Sequence, residues 1–122
     1  MQQIPPKVQN QLAMLQQIQQ QMQTVLGQKA QYEMALREAK KASEELKDIP
    51  EDAEVFSNIG TVMIQQKKEK VEESLNERVE TLELRIKSLE KQEKALQTRF
   101  DQLGAQVRGA LGGGESPSPN AE

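Results

Sequence analysis

The stretch AEVFSNIGTVMIQQ, at residues 53–66, separates two long helical patterns and decides the fold of this chain. It is rich in β-branched and aromatic residues, which favour strands, and it contains one glycine. We predict strands at residues 53–56 and 61–65, joined by a turn over residues 57–60. Gly60 suits the left-handed position that closes a type I turn with a bulge. A single β-hairpin is therefore expected at about residues 53–66.

Apolar side chains fall on both faces of this predicted hairpin. Because side chains alternate along a strand, Val55 and Ile59 lie on one face and Phe56 on the other. An isolated hairpin is marginal in water, and its open edges accept further strands. The adjoining helices can cover one face but not both, so we expect an oligomerisation element that joins strands from other subunits. Its predicted residues are Val55, Phe56, Ile59, Gly60, Val62, Met63 and Ile64.

Heptad patterns lie on both sides of the hairpin. Alternating spacings of three and four give each helix one narrow seam, which is typical of a coiled coil. The first seam comprises Leu15, Ile18, Met22, Val25, Lys29, Tyr32, Leu36, Ala39, Ser43 and Leu46. The second comprises Leu75, Val79, Leu82, Ile86, Leu89, Glu93, Leu96, Phe100, Leu103, Val107 and Ala110. The sequence therefore predicts a mainly α fold, a long antiparallel two-helix coiled coil with a single β-hairpin at the bend.

Proline and glycine residues delimit the two helices. Pro6 permits a helix that begins near Lys7, and Pro50 ends it near Lys47. The second helix is expected over about residues 67–110, with its first-turn lysines Lys67, Lys68 and Lys70 in solvent rather than in a docking patch. One domain over residues 1–111 and a flexible Gly/Ser/Pro tail over residues 112–122 follow from this division.

The composition excludes several classes of protein. The 122 residues carry a net charge of -3 and contain neither cysteine nor histidine. A mildly acidic chain is a poor ligand for nucleic acid, and no apolar run approaches the ~20 residues that span a bilayer. The first residues also lack the pattern of a signal peptide. We expect a soluble, cytoplasmic protein that binds neither nucleic acid nor membrane.

No motif indicates catalysis, a metal ion or a cofactor. Carboxylates are expected on solvated helix faces, where nothing shifts their pKa values toward acid-base work. The acidic residues around Glu51 lack the spacing of a calcium loop. The glycines at residues 112–114 precede Glu115 and Ser116 rather than the Lys-Ser/Thr of a phosphate-binding loop. We therefore expect no catalytic residues, no metal site and no cofactor.

The two helix ends far from the hairpin form a second candidate site. An antiparallel arrangement would bring apolar residues of both ends together, beside Gly104 and Gly109, which loosen the last turns. These tip residues could contact hydrophobic segments of another chain or simply close the two ends, and the residues alone leave both possibilities open. They are Ile4, Val8, Leu12, Leu103, Val107 and Leu111.

Two charged residues occupy predicted seam positions. The residues leave two explanations open: Lys29 and Glu93 pair and thereby set register and orientation, a use attested for polar residues in coiled coils, or polar residues stand at these positions by chance. Reversing either charge alone should lower the melting temperature, and reversing both should restore it. Thermal unfolding of the two single variants and the double variant tests this pairing. A double variant as unstable as the sum of the single ones would contradict it.

Seven short segments carry a further pattern through their order and spacing. They are IPPKVQ (4–9), AKKA (39–42), EL (45–46), DAEVF (52–56), IG (59–60), ETLELR (80–85) and QE (92–93). Together they resemble the prefoldin family, in particular the β-class subunits of the archaeal type, over about residues 4–111. Many family members have tyrosine at the position of Phe56, so a hydroxyl contact there is lost.

The resemblance implies a hexamer of two α-class and four β-class subunits, whose hairpins form a β-barrel from which the coiled coils extend. α-Class subunits carry two hairpins, whereas residues 48–67 have room for one, which indicates the β class. The family's tips hold unfolded client proteins without ATP and deliver them to a group II chaperonin. The implied partners are therefore the α-class subunit, unfolded clients and the chaperonin.

Two other readings compete with the chaperone subunit. A structural or adaptor coiled coil could oligomerise through the hairpin and bind one defined partner with strict stoichiometry. A nucleic-acid-binding coil would need a basic stripe, and the interspersed Glu and Lys of the second helix argue against one.

Overall fold

A computed structural model describes residues 4–112 of the chain. Two long helices, α1 (Pro6–Lys47) and α2 (Lys68–Leu111), flank strands β1 (Val55–Ile59) and β2 (Val62–Gln66). This confirms the predicted fold class, two long helices with a single antiparallel hairpin between them. Most of the predicted tail over residues 112–122 lies outside the described residues.

Helix α1 begins and ends where proline chemistry directs it. The Pro5 carbonyl accepts the first helical hydrogen bond, from the Gln9 N–H at 3.0 Å, and Pro6 occupies the first turn, where its missing N–H costs nothing. At the other end, the Ile49 N–H donates to the Leu46 carbonyl at 3.2 Å. Pro50 disfavours a helical conformation at the preceding residue, so the helix stops there.

The chain divides into two compact units. We call residues 28–88 the hairpin unit, and residues 1–27 with 89–122 the tip unit. In the hairpin unit, the Arg85 guanidinium lies 5.6 Å from the Tyr32 ring centre, and Lys40 Nζ lies 3.4 Å from Glu83 Oε2. These contacts place the two helices side by side and antiparallel within that unit.

The tip unit is also built from antiparallel helix segments. Gln11 of α1 donates from Nε2 to Oε1 of Gln106 on α2 at 3.2 Å. Val8, Ile18 and Val107 are buried there, at 3–5% exposure. The two ends of the chain's helices are therefore packed together within this unit.

The buried residues follow the predicted seams. Every predicted seam residue of α1 is buried or half-buried, and so is every one of α2 except Ala110. The polar seam residues Lys29 and Glu93 are both half-buried, and their pairing stays a prediction. Each fully buried aliphatic side chain contributes about 1.5–3 kcal/mol, so burial of these seams stabilises each unit.

The hairpin turn is shorter than predicted. Ile59 pairs with Val62, which leaves Gly60 and Thr61 as a two-residue turn. Gly60 has a φ of +63°, and no other described residue has a positive φ. A positive φ at the first turn residue alone is the geometry of a type II′ turn, which requires glycine there.

The predicted turn over residues 57–60 is therefore wrong. Ser57, Asn58 and Ile59 belong to β1 and pair with β2. A type II′ turn matches the right-handed twist of the flanking strands, and it allows more cross-strand pairs than the predicted bulge. The glycine alone suits either turn, so the sequence could not choose between them.

Candidate functional site

The strand register defines what each face of the hairpin presents. Cross-strand partners share a face, so Val55, Ile59, Val62 and Ile64 lie together on one side of the sheet. The other side carries Phe56 and Met63 beside Asn58 and Gln65. The predicted distribution of apolar residues over both faces is therefore what the register produces.

Most of these apolar side chains are in solvent. Phe56, Ile59, Val62, Met63 and Ile64 are between 41% and 65% exposed, and we call these five residues the hairpin patch. Full burial of such a side chain contributes about 1.5–3 kcal/mol, so leaving the patch in water forgoes several kcal/mol. Contiguous exposed apolar surface of this kind marks interaction sites, and both strand edges are open to pairing.

The base of the hairpin is packed, in contrast to the patch. Val55 is 9% exposed, and the Ser57 hydroxyl donates to Gln66 Oε1 at 3.0 Å across the strands. The Ala53 N–H donates to the Pro50 carbonyl at 3.0 Å, which fixes the connection from α1. The hairpin is therefore held where it leaves the helices and is uncovered further along.

Lys68 joins the two helices at this base, and sequence reasoning missed it. We expected the lysines that open α2 to be solvated, which is wrong for Lys68, at 8% exposure. Its Nζ donates to the Ile49 carbonyl at 2.8 Å and lies 3.6 Å from Glu51 Oε1. The ammonium group thus sits just beyond the last turn of α1, whose dipole favours a cation. The sequence signal was a cation placed unfavourably at the beginning of its own helix.

Replacing Lys68 with methionine should destabilise the chain by about 1–3 kcal/mol, because a hydrogen bond from a charged group is lost and the Ile49 carbonyl is left unpaired. The ion pair between Lys68 and the exposed Glu51 adds little to this loss of stability. Denaturant unfolding of the assembled protein, followed by circular dichroism, measures the change. The matched control is Lys67→Met, which removes an exposed charge one residue earlier. Equal effects of the two substitutions would contradict the assigned role of Lys68.

The six predicted tip residues all lie in the tip unit, but their exposure differs. Val8 and Val107 are buried at 3% and 5%, whereas Ile4 and Leu111 are 42% and 54% exposed. Leu12 and Leu103 are half-buried. The buried residues of the set therefore pack the two ends together, and the exposed ones are accessible to another chain.

A polar pair weakens the closure of these ends. Gln11 donates to Gln106, but its own Oε1 is buried and lacks a hydrogen-bond partner among the described residues. Leaving a buried acceptor unsatisfied costs about 1–3 kcal/mol. Opening the ends returns that oxygen to water, so the pair favours fraying of the last turns.

A shallow groove runs between the helices of the tip unit. Its lining is Met14, Ile18, Arg99, Gln102, Leu103 and Gln106. Ile18 forms part of its buried floor, and Met14 is 42% exposed. Of these residues, sequence reasoning had named only Leu103 as a site residue. Met14 lies four residues before Ile18, so the two side chains are neighbours on one face of α1. This spacing is the signal that could have identified Met14.

The prefoldin sequence family, described as prefoldin subunit, matches residues 9–114, which is most of the chain. This chain belongs to the prefoldin family. A prefoldin subunit beta of Methanoculleus marisnigri is 68% identical over 117 residues, which cover 96% of this chain and 97% of that relative. A prefoldin subunit beta of Methanospirillum hungatei is 54% identical and covers 98% of this chain and 100% of its own length. The predicted resemblance is confirmed.

The fold agrees with a solved prefoldin structure. The crystal structure of the prefoldin beta subunit from Thermococcus strain KS-1 superposes with a TM-score of 0.83 at 44% identity. The match covers 91% of this chain and 97% of that one. Both the exposed hairpin patch and the tip unit therefore belong to a prefoldin β-type fold.

Membership of the prefoldin family settles two coarser points. Prefoldin subunits are non-enzymatic, so the chain is not an enzyme, and they assemble with other prefoldin subunits. Within residues 4–112, no helix is long and apolar enough to cross a membrane. The same residues hold no group of acidic side chains arranged to bind a metal ion.

Proposed function

We propose that this chain is the β-class subunit of a prefoldin hexamer with two α-class and four β-class subunits. The hexamer acts in the cytoplasm as an ATP-independent holdase. It binds unfolded proteins through the tips of its coiled coils and delivers them to a group II chaperonin. The observation that carries the proposal is the hairpin patch, an apolar surface on both faces of an open two-stranded sheet within a prefoldin fold.

Other prefoldin subunits are the partners that suit the hairpin patch. Burying Phe56, Met63 and their neighbours requires cover on both faces, and the open edges supply backbone groups for strand pairing. A β-barrel of several hairpins provides both, because a closed barrel has no edges and covers its inner face. A single hairpin between α1 and α2 is consistent with the β class.

The tip unit suits weak and repeated contact with clients. Ile4 and Leu111 are exposed. The side-chain amide oxygen of Gln11, which lacks a hydrogen-bond partner among the described residues, favours opening of the ends where Val8 and Val107 are packed. The six tip residues then offer adaptable apolar contacts when the last turns fray. Several weak tips on one assembly hold a client through effective concentration, while each single contact stays reversible. Reversibility lets the client pass to the chaperonin.

The proposed domain organisation follows the same division. In this proposal, residues 1–111 form the prefoldin domain and residues 112–122 form a Gly/Ser/Pro tail.

Light scattering from a denatured, aggregation-prone protein tests the proposal. The protein is diluted into buffer that contains this chain assembled with an α-class subunit and no ATP. We expect suppression of aggregation at near-stoichiometric amounts of hexamer, and recovery of folded client after a group II chaperonin and ATP are added. The α-class subunit alone is the control. No suppression by a complex that native mass spectrometry shows to be hexameric would favour a structural or adaptor coiled coil instead.

A further inference from the structure

The groove of the tip unit has cations on its side of the helices. Arg99 lines the groove directly, next to Ile18 and Leu103. Lys7 precedes Met14 by seven residues on α1, which is two helical turns, so it lies on the same face of that helix. Both Lys7 and Arg99 are exposed. The groove therefore combines apolar and amide side chains, with Arg99 in its lining and Lys7 on the same face of α1, two helical turns before Met14.

Carboxylates of the tip unit lie elsewhere. Asp101 and Glu90 are about half a turn around α2 from Arg99, and Asp101 accepts a hydrogen bond from Gln97 Nε2 at 3.0 Å. Glu93 occupies the half-buried seam. Helix α1 contributes no acidic residue before Glu33, which belongs to the hairpin unit. Within the described residues of the tip unit, the groove side thus carries positive charge without a compensating carboxylate.

We propose that this groove selects extended apolar client segments that are flanked by acidic residues. The proposal rests on the proposed holdase function and names the class of client segment that the tips prefer. Lys7 and Arg99 are the specificity-determining residues, because Arg99 in the groove and Lys7, two helical turns before Met14, can each pair with a client carboxylate. Met14 and Leu103 contact the apolar part, and the side-chain amides of Gln102 and Gln106 suit the backbone of an extended segment.

The spacing of the two cations sets the length of the preferred segment. Arg99 lies beside Ile18 of α1 in the groove. Ile18 is 11 positions after Lys7, which corresponds to about 16 Å of helix between the levels of the two cations. An extended chain covers that distance in about five residues. The best segment therefore has an apolar core of about five residues with carboxylates at both ends.

Fluorescence anisotropy on the assembled hexamer tests this selection. Three labelled peptides share one apolar core of five residues and differ only in their flanks, which are two Glu, two Gln or two Lys at each end. Exposed ion pairs contribute about 0.2–1 kcal/mol each, so we expect the Glu peptide to bind about 1.4- to fivefold more tightly per pair than the Gln peptide, and the Lys peptide to bind most weakly. At about 1 M salt, where the screening length is about 3 Å, the three affinities should converge.

Two double variants distinguish the effect of Lys7 and Arg99 on peptide binding from the effect of the overall charge of the tip unit. Lys7→Gln with Arg99→Gln should remove the preference for the Glu peptide and leave the Gln peptide unchanged. The matched control, Lys94→Gln with Arg108→Gln, removes two cations from the opposite side of α2 and should retain the preference. Circular dichroism checks that both variants fold, and the salt dependence of the unmodified hexamer tests the selection independently of any variant.

Three results would overturn the inference. Equal binding of the three peptides by a hexamer that still suppresses aggregation would refute the charge selection and leave the holdase function standing. A preference that survives the loss of Lys7 and Arg99, while chaperonin docking weakens, would assign these cations to a folded acidic partner. A hexamer that neither binds the peptides nor suppresses aggregation would refute the proposed function and the inference together.

Discussion

Replacing Phe56 and Val62 with aspartate should abolish hexamer assembly and leave most of the helical content intact. The two residues lie on opposite faces of the hairpin and are 50% and 55% exposed, so the unassembled chain tolerates both carboxylates. In a barrel of hairpins the same groups would be buried without partners, at a cost of several kcal/mol for each charge. Every β-class subunit would carry this cost. Native mass spectrometry measures assembly, and circular dichroism measures helicity.

The control for this variant places two carboxylates on the helices of the same unit. Met34→Glu with Leu84→Glu changes two apolar side chains that are 57% and 68% exposed, outside the hairpin. We expect this variant to assemble normally, because the proposed barrel does not bury these positions. An intact hexamer from the hairpin variant would refute the barrel role of the patch. Loss of assembly in both variants would show that added charge alone disrupts the complex.

Removing the tips should abolish client holding and leave the hexamer intact. The change deletes the residues before about Val8 and those after about Leu103, which takes away Ile4, Leu111 and the buried Val107. Assembly should persist because the hairpin patch belongs to the other compact unit. Holding should fall to background because the deletion also removes the groove residue Gln106 and the cation Lys7, and avidity multiplies the weakening of each single contact. Native mass spectrometry and suppression of light scattering measure the two properties on one preparation.

A shorter truncation provides the control. Deleting residues 113–122 alone removes the tail and retains every described tip residue, so holding should be unchanged. If the full tip deletion still holds clients, their contacts lie elsewhere along the helices. If deletion of the tail alone abolishes holding, the substrate site has been assigned to the wrong segment.

The seams and the location of the hairpin could be predicted from the sequence because they depend on local periodicity. Spacings of three and four identify the buried stripe of a helix without knowledge of its partner, and all the predicted seam residues of α1, from Leu15 to Leu46, are buried or half-buried. Proline placed the ends of α1 for an equally local reason, since it restricts its own backbone and that of the preceding residue.

The turn and the exposure of single residues could not be predicted in the same way. Gly60 permits more than one hairpin turn, and the pairing of Ile59 with Val62 decides for the two-residue form. Val8 and Ile4 look alike as apolar residues at a helix end, yet one is 3% and the other 42% exposed. The exposure of each side chain depends on which residues of the opposite helix lie beside it. The apolar pattern of one helix does not contain that information.

What the sequence by itself determined is the pair of helices, their seams and an apolar hairpin between them, because each follows from the periodicity or backbone preference of a short segment. What only the tertiary structure decided is the register of the hairpin, the burial of Lys68 and the groove at Arg99. The register depends on how two neighbouring strands pair, whereas the other two features require distant segments to meet: Lys68 reaches the Ile49 carbonyl at 2.8 Å from the beginning of another helix. Contacts between distant segments are fixed by packing, and packing is a property of the folded chain.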